Sequence, residues 1–250
     1  ELTEAQYRQI ERCLPTQRGN VTLDNLQVLN AILYVAEQGC KWRGLPQQFG
    51  NWHTIYTRMN RWAKSGVLDR VFTQLQQAQI IRVKIEAVAL DSTIVKAILR
   101  DGGVKKNGPQ AIGRSRSGWT TKIHLVAADA RTALTLALSP GQAHDAPEGR
   151  KLLQRFGKRP CPIPLLMDRA YEGDETRQLA VELGYVPVVP PKNNRRTPWD
   201  YDHALYKRRN EIERLFRRLK GFRRLFSRFD KLDVMFLAFI SFALIVDGLR

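Results

Sequence analysis

The sequence predicts an α/β protein in which a mixed β-sheet is flanked by helices and preceded by a small all-α domain. Two observations lead to this prediction. Apolar residues recur at helical spacing through residues 1–75, whereas from residue 81 short apolar segments typical of strands alternate with helical segments. The change of pattern divides the chain into a helical domain, residues 1–80, and a sheet-containing domain, residues 81–250.

The helical domain contains two apolar stripes at helical spacing. The first covers residues 26–36 and ends at Gly39, and the second covers residues 52–62 and ends at Gly66. Helices joined by short turns that contain glycine fit a helix-turn-helix DNA-binding module, and they fit an ordinary helical bundle equally well. In the first case the basic side of the second stripe would contact DNA through Arg58 and Arg61.

The sheet-containing domain is predicted from apolar segments and their boundary residues. Its first half has a strand at 85–90 that ends at Asp91, a basic loop at 105–118, and a hairpin with strands at 122–128 and 133–138. Its second half has a helix from a capping box at Asp145–Glu148 to Phe156, a strand at 163–167 that ends at Asp168, a helix capped by Asp174 and stopped by Gly184, and a strand at 186–189.

Two further helices are expected near the C-terminus. One runs from about His203 to Arg223 and has apolar residues along one side. The other is an apolar segment at residues 234–246, which is shorter than the roughly 20 residues that a bilayer requires. We interpret it as a buried core helix, so no membrane association is expected.

The charge of the chain indicates a polyanionic partner. Lys and Arg number 41 against 24 Asp and Glu, a formal net charge of +17, and eleven of the basic residues lie within residues 207–231. Such an excess attracts nucleic acid and makes binding dependent on salt. The three cysteines are far apart and form no Cys-x-x-Cys pair, which argues against a disulfide framework and against a cysteine-based zinc site.

Three acidic residues are candidates for a metal site. Asp91 and Asp168 each follow an apolar strand, at the edge of the sheet where ligands bind in α/β folds, although either alone could simply cap a turn. On the late helix Glu213 shares one stripe with basic residues, where an intrahelical ion pair is the simpler reading, and Glu211 points about 160° away. If the three acids converge, their oxygens suit two Mg²⁺ or Mn²⁺ ions and metal-dependent phosphodiester transfer.

The late helix carries a spaced motif, Tyr206-x2-Arg209-x3-Glu213-x6-Lys220. With this motif the chain resembles bacterial insertion-sequence transposases of the DDE type, in the subgroup that has a compact catalytic domain on an RNase H-like fold. The resemblance extends over essentially the whole chain. It also rests on Leu90-Asp91-Ser92-Thr93, Gly113–Lys122, Gly141-Gln142-x-His144-Asp145, Asp168-Arg169-Ala170-Tyr171 and Trp42-Arg43-x-Leu45-Pro46.

The resemblance implies a function for the chain. It implies that Asp91, Asp168 and Glu213 bind metal, that the enzyme cleaves the terminal inverted repeats of an insertion sequence, and that it joins them to target DNA. It further implies a homodimer in the bacterial cytoplasm, associated with the nucleoid. The alternatives are a sequence-specific DNA-binding protein derived from a transposase, without catalytic activity, and a plain metal-dependent nuclease.

Residues expected to contact DNA come from two sources. By resemblance, Tyr206, Arg209 and Lys220 contact phosphates or order the active site. From charge and position, the further candidates are Arg217 and Arg224 on the late helix and Arg114, Arg116 and Lys122 in or beside the basic loop. His124 is interpreted as a core histidine, with a ligand role as the alternative, and Trp199 as a packed loop aromatic, with stacking on an unpaired base as the alternative.

Overall fold

The computed structural model describes residues 1–17, 21–77, 85–98 and 108–250. Its contacts divide the chain into two compact units, neither of which is continuous in sequence. The helical unit comprises Glu1–Arg82, Ala97–Gln110 and Arg218–Arg250, and the sheet unit comprises Val83–Lys96 and Ala111–Arg217. These units differ from the continuous segments 1–80 and 81–250, because the C-terminal residues cluster with the N-terminal helices. The division of the chain into functional domains at residue 80 stays a prediction.

The helical unit follows the two apolar stripes. Asp24 accepts a hydrogen bond from the backbone N–H of Gln27 at the start of the second helix, and Gly39, with a φ of 64°, ends it in the left-handed region that glycine tolerates. Whether these helices act as a helix-turn-helix module stays a prediction. The helices of this part of the chain are α1 (Glu4–Ile10), α2 (Asn25–Gln38), α3 (Trp52–Lys64) and α4 (Val67–Gln77).

The C-terminal apolar segment forms the core of the helical unit. It is helix α10 (Asp233–Leu249), and twelve of its residues are buried. The Ser241 hydroxyl donates to Asp69 of α4 at 2.5 Å, and Asp247 pairs with Arg218 at 2.5 Å. The prediction of a buried core helix is therefore confirmed. In the ranges that the structure describes, no helix is both long enough and apolar enough to cross a membrane.

The sheet unit contains a mixed sheet. Its strands are β1 (Val88–Ala97), β2 (Gly113–Ser115), β3 (Gly118–Ala127), β4 (Ala133–Pro140), β5 (Ile163–Met167) and β6 (Tyr185–Val188). Strand β3 pairs antiparallel with β4 and β1, whereas β5 pairs parallel with β1 and β6, so the order is β4-β3-β1-β5-β6, with the short β2 beside β3. Helix α5 (Asp145–Phe156) packs on β3 and β4, and α6 (Asp174–Glu182) packs on β6. The predicted mixed sheet flanked by helices is confirmed.

Four local predictions need correction. Strand β1 does not end at Asp91, because its pairing with β3 continues from Ala89 to Lys96. Neither Asp145 nor Asp174 caps its helix. Each is instead the first helical residue, and its carboxylate forms ion pairs elsewhere. In the basic loop, residues 105–107 lie outside the described residues, and 113–115 form strand β2.

The long late helix is also different from its prediction. It is divided into α7 (His203–Tyr206), a 3-10 turn at Lys207–Arg209 and α8 (Asn210–Gly221), after which come α9 (Arg223–Phe226) and a short strand β7 (Ser227–Arg228). A 3-10 segment inside a helical run often marks a functional position. Here it ends at Arg209, a residue of the predicted signature.

Candidate active site

The sheet register brings the two aspartates together. Leu90 of β1 pairs with Met167 of the parallel strand β5. Asp91 and Asp168 are the residues that follow this pair, and neighbouring strands lie about 4.8 Å apart. Asp168 also caps the 3-10 turn that follows, because its Oδ1 accepts a hydrogen bond from the Ala170 N–H at 2.7 Å. Asp168 therefore caps a turn, as the alternative interpretation expected, and it also lies beside Asp91, as a metal ligand would.

Glu213 reaches this pair through a shared cation. The Arg209 guanidinium donates to Asp91 Oδ2 at 2.9 Å and to Glu213 Oε1 at 2.5 Å. The Asp91 side chain is 13% exposed and the Glu213 side chain 44% exposed, so the group opens to solvent on the side of Glu213. The intrahelical ion pair considered from the sequence does form, and the same arginine binds Asp91.

Burial dominates the electrostatics of Asp91. Loss of solvent raises its pKa to about 6, the negative charges of Asp168 and Glu213 act in the same direction, and the Ser92 N–H and the Arg209 guanidinium oppose them. A carboxyl group in such surroundings ionises less readily than a free aspartate. Proximity to a cation of higher charge would favour its ionised form.

A fourth acid joins the site through Ser92. The Asp145 Oδ1 accepts hydrogen bonds from the Ser92 hydroxyl at 2.7 Å and from the Lys122 ammonium at 2.9 Å, and the Ser92 N–H donates to Asp91 Oδ1 at 2.7 Å. Reasoning from the sequence missed this contact, because Asp145 matches a capping box. The available signal was the Asp145-containing motif that carried part of the family resemblance.

Tyr171 lies beneath these acids. It is fully buried, and burial raises the pKa of its phenol, as do the charges of Asp145 and Asp91. Gly149 of α5 permits this packing, because a Cβ at that position would stand 2.5 Å from a ring carbon of Tyr171 and 3.1 Å from Leu90. Close contact between α5 and the turn after β5 thus holds Tyr171 in its buried position below the acids.

Comparison with known proteins decides the family. Residues 82–246 match the model described as "Transposase DDE domain", and residues 2–72 match "Putative transposase of IS4/5 family (DUF4096)". The chain is a member of the DDE transposase family. With the mixed sheet flanked by helices, this match confirms the predicted RNase H-like fold class.

Curated relatives cover parts of the transposase. A protein of Brucella ovis, described as "Putative transposase for insertion sequence element IS6501", is 30% identical over 132 residues, which are 52% of this chain and 99% of the relative. The Sinorhizobium fredii protein y4sN, which is uncharacterized, is 31% identical over 109 residues, 42% of this chain and 83% of the relative.

Solved structures also match the transposase. The Mos1 transposase paired-end complex with left transposon end has 11% sequence identity and a TM-score of 0.29, over 85% of this chain and 78% of that one. The piggyBac transposase synaptic complex with hairpin DNA has 11% identity and a TM-score of 0.39, over 75% and 47%.

The residues predicted to contact DNA differ in exposure. Arg61, Arg114, Arg116 and Arg217 are exposed. Partly buried are Tyr206, Arg209, Lys220 and Arg58, and burial raises the pKa of Tyr206 and lowers the pKa values of Lys220 and Arg58. Trp199 is packed as interpreted, donating to the Val189 carbonyl at 2.9 Å, and the buried His124 contacts the Ser139 hydroxyl at 2.8 Å.

Two of the predicted DNA contacts are corrected by the structure. Arg224 is 5% exposed, and its guanidinium donates to Asp230 and to the Cys40 carbonyl at 2.8 Å, so it stabilises the helical unit. The Lys122 side chain is 11% exposed and donates to Asp145 and to the Ala143 carbonyl. In this structure the ammonium group is occupied by two internal acceptors. Lys122 therefore belongs to the network around Asp91.

The donor set of the site fits a hard divalent cation, although its present arrangement does not. Carboxylate oxygens are the ligands that Mg²⁺ and Mn²⁺ prefer. Across the described ranges, however, no three acidic, histidine or cysteine side chains are grouped closely enough to hold a metal ion. The guanidinium of Arg209 lies between Asp91 and Glu213 and binds the oxygens that a metal would use.

Proposed function

We propose that the transposase cleaves the ends of an insertion sequence and joins them to target DNA, using divalent metal ions held by Asp91, Asp168 and Glu213. The observation that carries this proposal is the placement of the three acids around one position: Asp91 and Asp168 follow paired residues of adjacent strands, and Glu213 shares Arg209 with Asp91. The family match supports the reaction class.

The metal would supply most of the chemistry. Two Mg²⁺ or Mn²⁺ ions at these carboxylates would activate the attacking oxygen and stabilise the leaving oxygen of a phosphodiester. The protein's own residues prepare the site. Asp145 fixes Ser92, whose backbone N–H orients Asp91, while the turn capped by Asp168 fixes that carboxylate at the end of β5.

DNA is the proposed partner in two forms, the terminal inverted repeats and the target. The net charge of +17 supplies the attraction, and Arg114, Arg116, Arg217 and Arg61 are exposed cations that could neutralise phosphates. Tyr206 of the signature would hold DNA next to the acids, and Lys220 would contact a phosphate. We further propose that a homodimer brings two ends together and that it acts at the bacterial nucleoid, in the cytoplasm.

A joining assay tests this function. The substrate is DNA that carries the inverted repeats bracketing the coding region, mixed with a plasmid target and Mg²⁺ or Mn²⁺. We expect cleavage at the repeat ends and covalent insertion into the plasmid, both lost in the presence of EDTA. Cleavage without joining would instead identify a nuclease. Specific binding without cleavage would identify a DNA-binding protein and overturn the proposed function.

A further inference from the structure

Arg209 is placed where it competes with a metal ion. Its two terminal nitrogens contact Asp91 Oδ2 and Glu213 Oε1, and its side chain is only 20% exposed. It lies 5.8 Å from the ring centre of Tyr206 and ends the 3-10 turn that interrupts the late helix. The guanidinium therefore bridges two acids from elements far apart in sequence.

Both oxygens of Asp91 already have a donor. Oδ1 accepts the Ser92 N–H at 2.7 Å, and Oδ2 accepts the Arg209 guanidinium. A metal ion bound to both Asp91 and Glu213 would stand close to the guanidinium, in a partly buried place where like charges repel strongly. Arg209 and a metal ion thus compete for the same carboxylates.

An arginine that leaves this position needs another anion. A guanidinium binds phosphate through two parallel N–H donors as readily as it binds carboxylate. If the proposed function holds, a DNA phosphate arrives at this site with the substrate. Transfer of Arg209 from the acids to that phosphate would leave Asp91 and Glu213 able to bind a metal ion. It would also strengthen DNA binding.

We propose that Arg209 is an exchangeable counter-cation, which couples metal binding to DNA binding. This inference rests on the proposed function and adds to it the condition under which the metal ions bind. Without DNA, Arg209 occupies the acids and the transposase binds Mn²⁺ weakly. With DNA, Arg209 binds a phosphate and Mn²⁺ binds tightly. Such coupling is reciprocal, so Mn²⁺ must strengthen DNA binding by the same factor.

Calorimetric titration of the full chain with Mn²⁺ tests the coupling without measuring activity. In the absence of DNA, Arg209→Gln should bind Mn²⁺ about tenfold more tightly than the unmodified chain, within the usual range of coupling between sites. Arg214→Gln is the matched control, since Arg214 is exposed on the same helix and the change removes the same charge. We expect this control to match the unmodified chain within about twofold.

A second titration includes a short DNA duplex of unrelated sequence. DNA should raise the Mn²⁺ affinity of the unmodified chain and of Arg214→Gln, and it should have little effect on Arg209→Gln. Arg209→Lys retains a positive charge but cannot contact both acids through two parallel N–H donors. Its affinity for Mn²⁺ without DNA should therefore lie between those of the unmodified chain and of Arg209→Gln. Circular dichroism of each variant verifies that it is folded. If Arg209→Gln does not fold, Arg209→Lys takes its place in the comparison.

Two results would overturn the inference, and they differ in meaning. Equal or weaker Mn²⁺ binding by Arg209→Gln, beside measurable binding by the unmodified chain, would show that Arg209 supports the metal site. In that case the proposed function would stand and the coupling would fall. No Mn²⁺ binding by any of these proteins, with or without DNA, would overturn the metal-dependent function together with this inference.

Discussion

Replacing any one of the three acids is expected to lower the rate of metal-dependent DNA cleavage by at least about a thousandfold. Each acid would hold the metal ions, and these ions would stabilise the negative charge that develops in the transition state by several kcal/mol. The variants are Asp91→Asn, Asp168→Asn and Glu213→Gln. Each removes a negative charge near the proposed path of DNA, so binding in a gel-shift assay should be retained or become slightly tighter. Cleavage of labelled end DNA in Mg²⁺ is the measurement.

Glu211→Gln is the matched control for these variants. It lies two positions from Glu213, on another side of the helix, where its carboxylate pairs with Arg208 at 3.5 Å. We expect its cleavage rate to stay within about threefold of the unmodified chain, as for loss of an exposed ion pair. Retained cleavage in all three acid variants, or loss in Glu211→Gln alone, would refute the assignment of the site.

The second large effect concerns the dependence of stability on pH. The pKa of Asp91 is about 6 in the folded chain, against a usual value of 3.8, chiefly because the group is buried. The folded state then binds the Asp91 proton more tightly than the unfolded state does. Its contribution to stability is complete below pH 3.8 and is lost as the pH rises through about 6, a loss of about 3 kcal/mol.

Urea unfolding of the unmodified chain and of Asp91→Asn, in EDTA, isolates this contribution. The free energy of unfolding of the unmodified chain minus that of Asp91→Asn should fall by about 2 kcal/mol between roughly pH 4 and pH 7. The variant carries no titrating group at position 91, so residues that do not interact with Asp91 contribute equally to both proteins and cancel in the difference. A difference that rises with pH would mean that Arg209, rather than burial, controls the ionisation of Asp91.

Much of the sheet could be predicted from the sequence because its strands contain short apolar runs bounded by turn residues. Residues 163–167 were predicted as a strand and form β5 with the same bounds, and the hairpin of β3 and β4 was predicted through its turn at residues 129–131. The end of β1 could not be predicted. Beyond Asp91 its pairing with β3 continues, and pairing between distant segments leaves no mark on the local pattern.

The acids of the candidate site were predictable, whereas their connections were not. The position after an apolar segment selected Asp91 and Asp168, although β1 continues past Asp91, and the spacing of the family motif selected Glu213. The bridge from Arg209 to Asp91 and the network of Asp145 with Lys122 join residues 118 and 23 positions apart, so only the folded chain reveals them. The burial of Arg224 was missed for the same reason, since a run of basic residues looks alike whether its members bind DNA or internal acids.

The most direct measurement of the central claim is anomalous X-ray scattering from crystals of the transposase grown with short end DNA and Mn²⁺. We predict manganese peaks in contact with carboxylate oxygens of Asp91, Asp168 and Glu213, with Arg209 turned away from the acids toward a phosphate. Manganese bound at other residues, with these three carboxylates pointing apart while DNA is present, would contradict it.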